Sequence, residues 1–322
     1  SGDVRFLPPY RAERETFIKE HLGAAAGADE GLIRAVIALR SVKSTEELEQ
    51  MDIAVKTSMK MHAAAAAHAA PGQLEAEVAG LLEGIAISGN GRLSYPAILT
   101  RNGHVLHNHY HGNILKKGDL LLIDAGAEAT SGYAGDITRT FAVGADMTAK
   151  QQDVYDIVQK ALPDCTAALR PGITYQSIHL DAGRIIASGL KDLGLMKGNV
   201  DEAVAAGAHA LFMPHGLGHM IGLDVHDMED LGEDLVGYDD KIKRSAQFGT
   251  KNLRLGKELQ AGYALTVEPG IYFIPALIDR WAADGTCSDF INFSALEGYR
   301  DFGGIRLEDD VVVTNTGHRV LG

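Results

Sequence analysis

The stretch Leu120–Val143, LLLIDAGAEATSGYAGDITRTFAV, constrains this chain more than any other. It opens with an apolar run, Leu120-Leu121-Leu122-Ile123, that reads as a buried strand. Asp124 ends that run, where a charge has no hydrophobic reason to sit. Gly126, Ser131-Gly132 and Gly135 supply turn chemistry. Asp136 then opens a second run in which Ile137, Arg139 and Phe141 share one side and Thr138, Thr140 and Ala142 the other. Two strands joined by a turn make a hairpin, and a hairpin can set Asp124 beside Asp136. An Asp next to Gly is most often a turn residue. Here both acids abut strands of core character, and two carboxylates facing each other there need a cation.

Four further stretches repeat this logic or add to it. Tyr263–Val267 is an apolar strand ending in Glu268-Pro269-Gly270, and Glu308 falls inside a strand expected over Ile305–Val313. Both acids read on their own as edge-strand charges. His215-Gly216-Leu217-Gly218-His219 places two histidines four apart, but the glycines between them argue for a loop or strand edge with close backbone approach, not a helix. His226 follows, and three histidines in twelve residues among glycines are hard to explain as core packing. His104, His107, His109 and His111 form another cluster, of which one is expected to face a site.

The rest of the chain frames these motifs. Residues 1–45 carry Pro8-Pro9, a helix around Ala12–Leu22 and a second around Glu30–Leu39, with Leu32, Ile33, Val36, Ile37 and Leu39 at helical spacing and Gly23 and Gly27 between the two. That is too little for an independent domain, so it reads as the tail of something larger or an arm packed on the main body. Ser44 is an N-cap and Glu47 completes a capping box for a helix to about His68. Its Ala63–Ala67 run suits close packing on a sheet, with His62 and His68 as core or surface residues. Pro71-Gly72 breaks the pattern; a helix over Leu74–Ile85, short strands from Ile85 to Val105, and helices over Thr148–Leu162 and Ile173–Leu193 follow, the last capped by Gly194. Residues 229–251 are charged and aperiodic, as a loop or flap would be.

Length allows one large domain or two ordinary ones. The net charge of −13 and a pI near 5.4 argue against nucleic acid or an anionic membrane as the main partner. Cys165 and Cys287 form no framework, which points to a reduced, cytoplasmic protein. No signal peptide is evident, and no apolar run approaches the ~20 residues of a membrane span. The chain starts Ser1-Gly2 without a Met, as a processed chain, a fragment or a cloning scar would.

The chemistry follows from counting charges. Asp124, Asp136, Glu268 and Glu308 gathered without cations would repel and protonate. Two divalent ions would balance them, with His219 as a nitrogen ligand. Such an oxygen-rich set with one imidazole suits Mn²⁺, then Zn²⁺ or Co²⁺. Two ions about 3.5–4 Å apart can share a water and lower its pKa. Glu268 is the candidate for moving its proton, and His215 and His226 for holding substrate or stabilising a tetrahedral intermediate.

The motifs IDAG (123–126), GDITRTF (135–141), HGLGHMIGLDVHD (215–227), TVEPGIYF (266–273) and GIRLEDD (304–310) resemble the pita-bread metallopeptidases, within them the proline-specific branch of prolidases and aminopeptidases P. The resemblance covers about residues 45–320. It implies an α/β fold of the α+β kind, a duplicated curved antiparallel sheet with outer helices, in a catalytic domain over 46–322. Residues 1–45 would then be the remnant of a creatinase-type N-terminal domain. It implies that Asp124, Asp136, His219, Glu268 and Glu308 are the metal ligands, with Asp136 and Glu308 bridging, that Glu268 is the general base, and that His215, His226 and Arg306 line the substrate site. The family's strand before the first Asp carries one active-site His. Here the wording VLHNHYHGN offers His107 or His109, and matching Val105-Leu106 selects His107. The stretch LRLGKELQAGYALTVEPG resembles prolidases in particular, whose matching arginine holds the free carboxylate of a dipeptide. That residue is Arg254, fourteen before Glu268. A guanidinium forks onto a carboxylate through two parallel hydrogen bonds. The competing reading is a surface arginine in a basic patch with Arg244, Lys251 and Lys257.

The expected function is therefore a dinuclear-metal exopeptidase that hydrolyses Xaa-Pro bonds, first as an Xaa-Pro dipeptidase, second as an aminopeptidase P on longer peptides. A creatinase-like hydrolase or binding module ranks lower, because such relatives should have lost ligands that are all present here. A methionine aminopeptidase would lack the GLDVHD and GIRLEDD wording. The expected partners are an Xaa-Pro di- or oligopeptide and a second copy of the chain, in a homodimer formed through the N-terminal domain.

Overall fold

The computed structural model describes residues 5–9, 11–22 and 28–322. The expected break at Gly23 and Gly27 lies outside them. The chain begins with helices α1 (Ala12–Leu22), α2 (Glu30–Ser41), α3 (Thr45–His68) and α4 (Glu75–Ser88). Short strands β1 (Arg92–Leu93) and β2 (Ile98–Thr100) lead to β3 (Leu120–Asp124), β4 (Ala127–Glu128) and β5 (Thr138–Ala142). Helices α5 (Ala149–Ala168), α6 (Tyr175–Asp192), α7 (Val200–Ala205) and α8 (Glu233–Gly237) follow. The end of the chain holds β6 (Ala264–Val267), β7 (Gly270–Tyr272), α9 (Pro275–Asp284), α10 (Phe293–Leu296), β8 (Gly304–Arg306), β9 (Asp309–Val313) and β10 (His318–Val320).

The architecture is the same device used twice. In the first half, β2, β3 and β5 form an antiparallel sheet with β3 in the middle. Helices α3 and α4 cover one of its faces, bringing Met61, Ala65, Val78 and Leu82 onto Leu99, Leu121 and Ile123. In the second half, β6, β9 and β10 form another antiparallel sheet. Helices α5 and α6 cover it with Val154, Val158, Ile178 and Ile186 in one core with Leu265, Val267 and Val311. All five residues of β3 are buried, because its other face is also covered, with Leu122 packed on Ile98 and Tyr272. The halves meet where Thr138 bridges Glu308.

Local signals set these elements. The Ser44 hydroxyl accepts from Glu47 N–H while the Glu47 carboxylate accepts from Ser44 N–H at 2.7 Å, the expected capping box. The alanine run lies in α3 with Ala65 fully buried. His62 is a core residue on the Ala125 carbonyl at 2.9 Å, and His68 is exposed. Gly194 takes the left-handed conformation just past α6.

Several boundaries differ from expectation. Only Ile33 and Ile37 of the α2 set are buried, in the large core, while Leu39 is 78% exposed. Helix α5 runs past Leu162 and through Pro163 because Cys165 and Thr166 are buried on the core side of its last turns. The strand expected over Ile305–Val313 is broken at Leu307-Glu308, so that β8 pairs with β7 while β9 pairs with β6. Residues 229–251 hold α8 and short turns of 3-10 helix at Glu229–Leu231 and Thr250–Asn252. These turns are too short to leave a period, and ion pairs of Arg244 with Glu233 and Asp234 hold them.

Candidate functional site

The two sheets bring their acids together at one place. Asp124 closes β3 and pairs in register with Thr138, so Asp136 stands two residues before β5 on the same side as Thr138. The hairpin closes tightly because two glycines meet: a methyl group on Gly126 would lie 1.7 Å from the Gly135 carbonyl oxygen. The Tyr95 hydroxyl sits between the aspartates, 2.5 Å from Asp124 Oδ1 and in contact with Asp136 Oδ1. With one proton it donates to one at a time. Asp310 Oδ2 accepts from Asp136 N–H at 2.8 Å.

The second half supplies the remaining donors. The segment 217–220 lies along β6, with Thr266 N–H donating to His219 O and Glu268 N–H to Leu217 O. This is the strand edge with close approach expected from the glycines, since a methyl on Gly218 would sit 2.1 Å from Thr266 O. It sets His219 Nε2 3.4 Å from Asp136 Oδ2 and 3.8 Å from Glu268 Oε1. His219 Nδ1 lies 3.0 Å from Met220 O, a backbone bond that leaves Nε2 for a ligand role. Thr138 donates to Glu308 Oε2 at 2.5 Å across the junction of the sheets. Asp136, His219 and Glu308 thus offer ligand atoms all within 4.8 Å of one another. Asp124 stands slightly apart, drawn by Arg306 Nη2 at 2.5 Å.

The electrostatics fit a bound cation. Burial lifts Asp124 above the usual carboxylate range against the pull of Arg306, and the charge of Asp136 adds to it. Glu308 is lifted far above its ordinary value by burial and by the charges of Asp136 and Glu268. Burial also raises Glu268, to about 7. Burial alone would lower His219, but its contact with Asp136 and the charge of Glu268 outweigh that and carry it up to about 9. Four inward carboxylates with one imidazole, balanced by a single buried guanidinium, form a donor set whose charge dications would neutralise.

His107, His109, His215, His226, Arg254 and Arg306 line the same cavity of about 570 Å³. Two of the four clustered histidines thus reach the site; His111 instead contacts the Ala97 carbonyl oxygen. His215 Nδ1 lies 2.7 Å from Gly216 O and Nε2 2.9 Å from the Tyr272 hydroxyl. Burial lowers it to about 3, so it is neutral. His226 packs edge-on against His219 with ring centres 4.2 Å apart. Arg254 lines the cavity paired with Glu229, and Arg244 and Lys251 line it too. Arg306 is buried on Asp124, Tyr272 and Thr138. Sequence reasoning missed Tyr95, Thr138, Tyr272, Asp310 and Glu229. Thr138 shares a strand face with Asp136, so its period-two spacing held a signal; Tyr95 sits in a segment with none.

The sequence model of metallopeptidase family M24 matches residues 49–315. The Xaa-Pro dipeptidases of Homo sapiens and Mus musculus are 36% and 35% identical over 294 residues, which is 89% of this chain and 58% of theirs. A probable Xaa-Pro aminopeptidase of Sordaria macrospora is 36% identical over 289 residues, 89% of this chain and 60% of that protein. The chain therefore spans about three-fifths of the length of these relatives. Among solved structures, zinc-substituted Escherichia coli aminopeptidase P in complex with product superposes with a TM-score of 0.77 at 32% identity, over 99% of this chain and 67% of that one. Proline aminopeptidase P II from Yersinia pestis gives 0.73 at 33% identity, over 96% and 62%. The pita-bread architecture expected from the motifs is the one these neighbours share.

Proposed function

Because the chain belongs to metallopeptidase family M24, we propose that it is a dinuclear-metal exopeptidase that hydrolyses Xaa-Pro peptide bonds, in the first place as an Xaa-Pro dipeptidase. The observation that carries this reading is the convergence of Asp124, Asp136, His219, Glu268 and Glu308, from two halves of the fold, on one cavity of peptide size. Those five side chains would hold two divalent ions, Mn²⁺ ahead of Zn²⁺ or Co²⁺. Such ions supply Lewis acidity and make water a nucleophile at neutral pH.

The protein's own groups do the rest. Glu268, half-buried and beside His219, takes the proton from the attacking water and returns it to the departing proline nitrogen. Tyr95 and Thr138 fix the carboxylates of Asp124 and Glu308 by hydrogen bonds. His215, His226 and His107 hold the substrate and the charge that develops on its carbonyl oxygen. Arg254, on the cavity wall, receives the free carboxylate of a dipeptide. Residues 1–45 are read as the tail of a creatinase-type domain, the assembly as a homodimer formed through that domain, and the compartment as the cytoplasm.

A second reading, aminopeptidase P, is favoured by one observation: Arg254 already faces Glu229 and Glu233, which neutralise part of its charge. The deciding measurement is metal content together with kcat/KM for an Xaa-Pro dipeptide against an Xaa-Pro tripeptide, in wild type and Arg254→Ala. The dipeptidase reading expects two ions per chain. It also expects the mutant to lose about 2–4 kcal/mol of transition-state binding on the dipeptide and little on the tripeptide. A wild type that prefers the tripeptide transfers the protein to the second reading.

A further inference from the structure

We propose that Glu229 is a positioning residue that braces His226 and Arg254 together, so that the group acting on the scissile carbonyl and the group receiving the substrate's carboxylate are held by one side chain. The inference rests on the Xaa-Pro peptidase reading and adds to it a residue outside every motif that carries the family resemblance.

The geometry is specific. A single oxygen, Glu229 Oε2, lies 3.4 Å from His226 Nδ1 and is paired with Arg254 Nη1. Glu233 Oε2 lies 3.6 Å from the same Arg254 nitrogen, so both acids hold one edge of the guanidinium. Its other nitrogens make no protein hydrogen bond among the described residues, which leaves that edge for a substrate carboxylate. Glu229 Oε1 is buried without a hydrogen-bond partner among the described residues, a cost that a carboxylate serving only as a surface ion pair would not carry. Glu229 is 16% exposed, whereas Arg254 is 35% exposed and His226 38%, so the brace sits beneath the two groups it holds.

The backbone is bent to put it there. Met228 is in the left-handed conformation, φ 65°, and its side chain is buried. A non-glycine residue in that region is strained and persists only where its surroundings hold it. The bend falls between His226 and Glu229 and lets side chains three residues apart meet. On His226, the carboxylate 3.4 Å from Nδ1 favours the tautomer whose N–H points at it and leaves Nε2 for the substrate.

Glu229→Ala and Glu229→Gln, purified with their ions, are compared with wild type on three substrates: an Xaa-Pro dipeptide, the same dipeptide with its C-terminus amidated, and an Xaa-Pro tripeptide. The brace predicts that Glu229→Ala loses kcat severalfold on all three through His226. It predicts that KM rises about tenfold on the free-acid dipeptide alone, through Arg254. Glu229→Gln, which keeps an acceptor oxygen, falls between the two. In an Arg254→Ala background, Glu229→Ala no longer changes KM, because the two act through one contact. Metal content stays at the wild-type level. Equal losses on all three substrates with no KM component, or a KM effect that persists without Arg254, overturn the brace. A wild type that cleaves none of the three overturns the peptidase reading beneath it.

Discussion

At the scale of single residues, the site divides into groups that hold charge and groups that hold those groups. Asp136 touches Tyr95, His219 and, through its backbone, Asp310. In the proposed dinuclear site it would serve both ions, so its loss would be felt by both. Asp136→Asn should bind at most one ion per chain, read by metal analysis, and retain under about 1% of wild-type turnover; a metal-free but fully active variant would sink the assignment. His226 lies one ring away from that centre, against His219. His226→Ala should keep both ions and lose turnover by about 10²-fold with a smaller change in KM, as expected for a group used mainly in the transition state. Lost metal with unchanged turnover would show that His226 belongs among the ligands instead.

At the scale of elements, what the sequence made legible was whatever a local physical rule governs. Ser44 and Glu47 announced α3 by their own hydrogen bonds, and Asp124 and Glu268 stood out as charges ending apolar strands. The parts that were hidden depend on partners far along the chain. Thr138 reaches Glu308 across 170 residues and Arg306 reaches Asp124 across 182, so neither strand spells out its contact. The break at Leu307-Glu308 is equally non-local, since it arises where β9 leaves β7's partner and joins β6. Another long-range tie joins the segment after α2 to the histidine loop. Lys43 Nζ donates to Asp227 Oδ2 at 2.8 Å with both side chains 1% exposed, and Arg40 holds Oδ1 of the same carboxylate. Breaking a buried pair leaves an uncompensated charge, so Lys43→Met should lower unfolding stability by about 3 kcal/mol. Urea titration would measure this, and a change under about 0.5 kcal/mol would mean that Arg40 alone suffices.

At the scale of the whole molecule, the large core that α5 and α6 build holds two histidines with no hydrogen-bond partner among the described residues. His179 and His209 are fully buried with ring centres 6.0 Å apart, and their ring nitrogens make no hydrogen bond among the described residues. Burial lowers them to about 3 and about 4. Their folded values lie below the unfolded value near 6.5, so the unfolded chain binds more protons between those limits. Their contribution to stability is therefore complete above about pH 6.5 and is lost as the pH falls toward 4, by up to about 1.4 kcal/mol per unit for each. His209→Leu should flatten the fall of unfolding stability between pH 6.5 and 4.5 relative to wild type, as followed by chemical denaturation at a series of pH values. Parallel curves for the two proteins would refute this. Ligand protonation acts on both proteins alike, so the difference isolates the core histidine.

The Lys43–Asp227 tie also bears on where an autonomous catalytic unit can be cut. The family match begins at residue 49, yet the two cations that neutralise Asp227 sit at 40 and 43, upstream of it. A recombinant protein trimmed to the matched segment would keep all five proposed metal ligands and strip the counter-ions from the residue next to His226. The smallest transplantable unit of this fold therefore has to include Arg40 and Lys43.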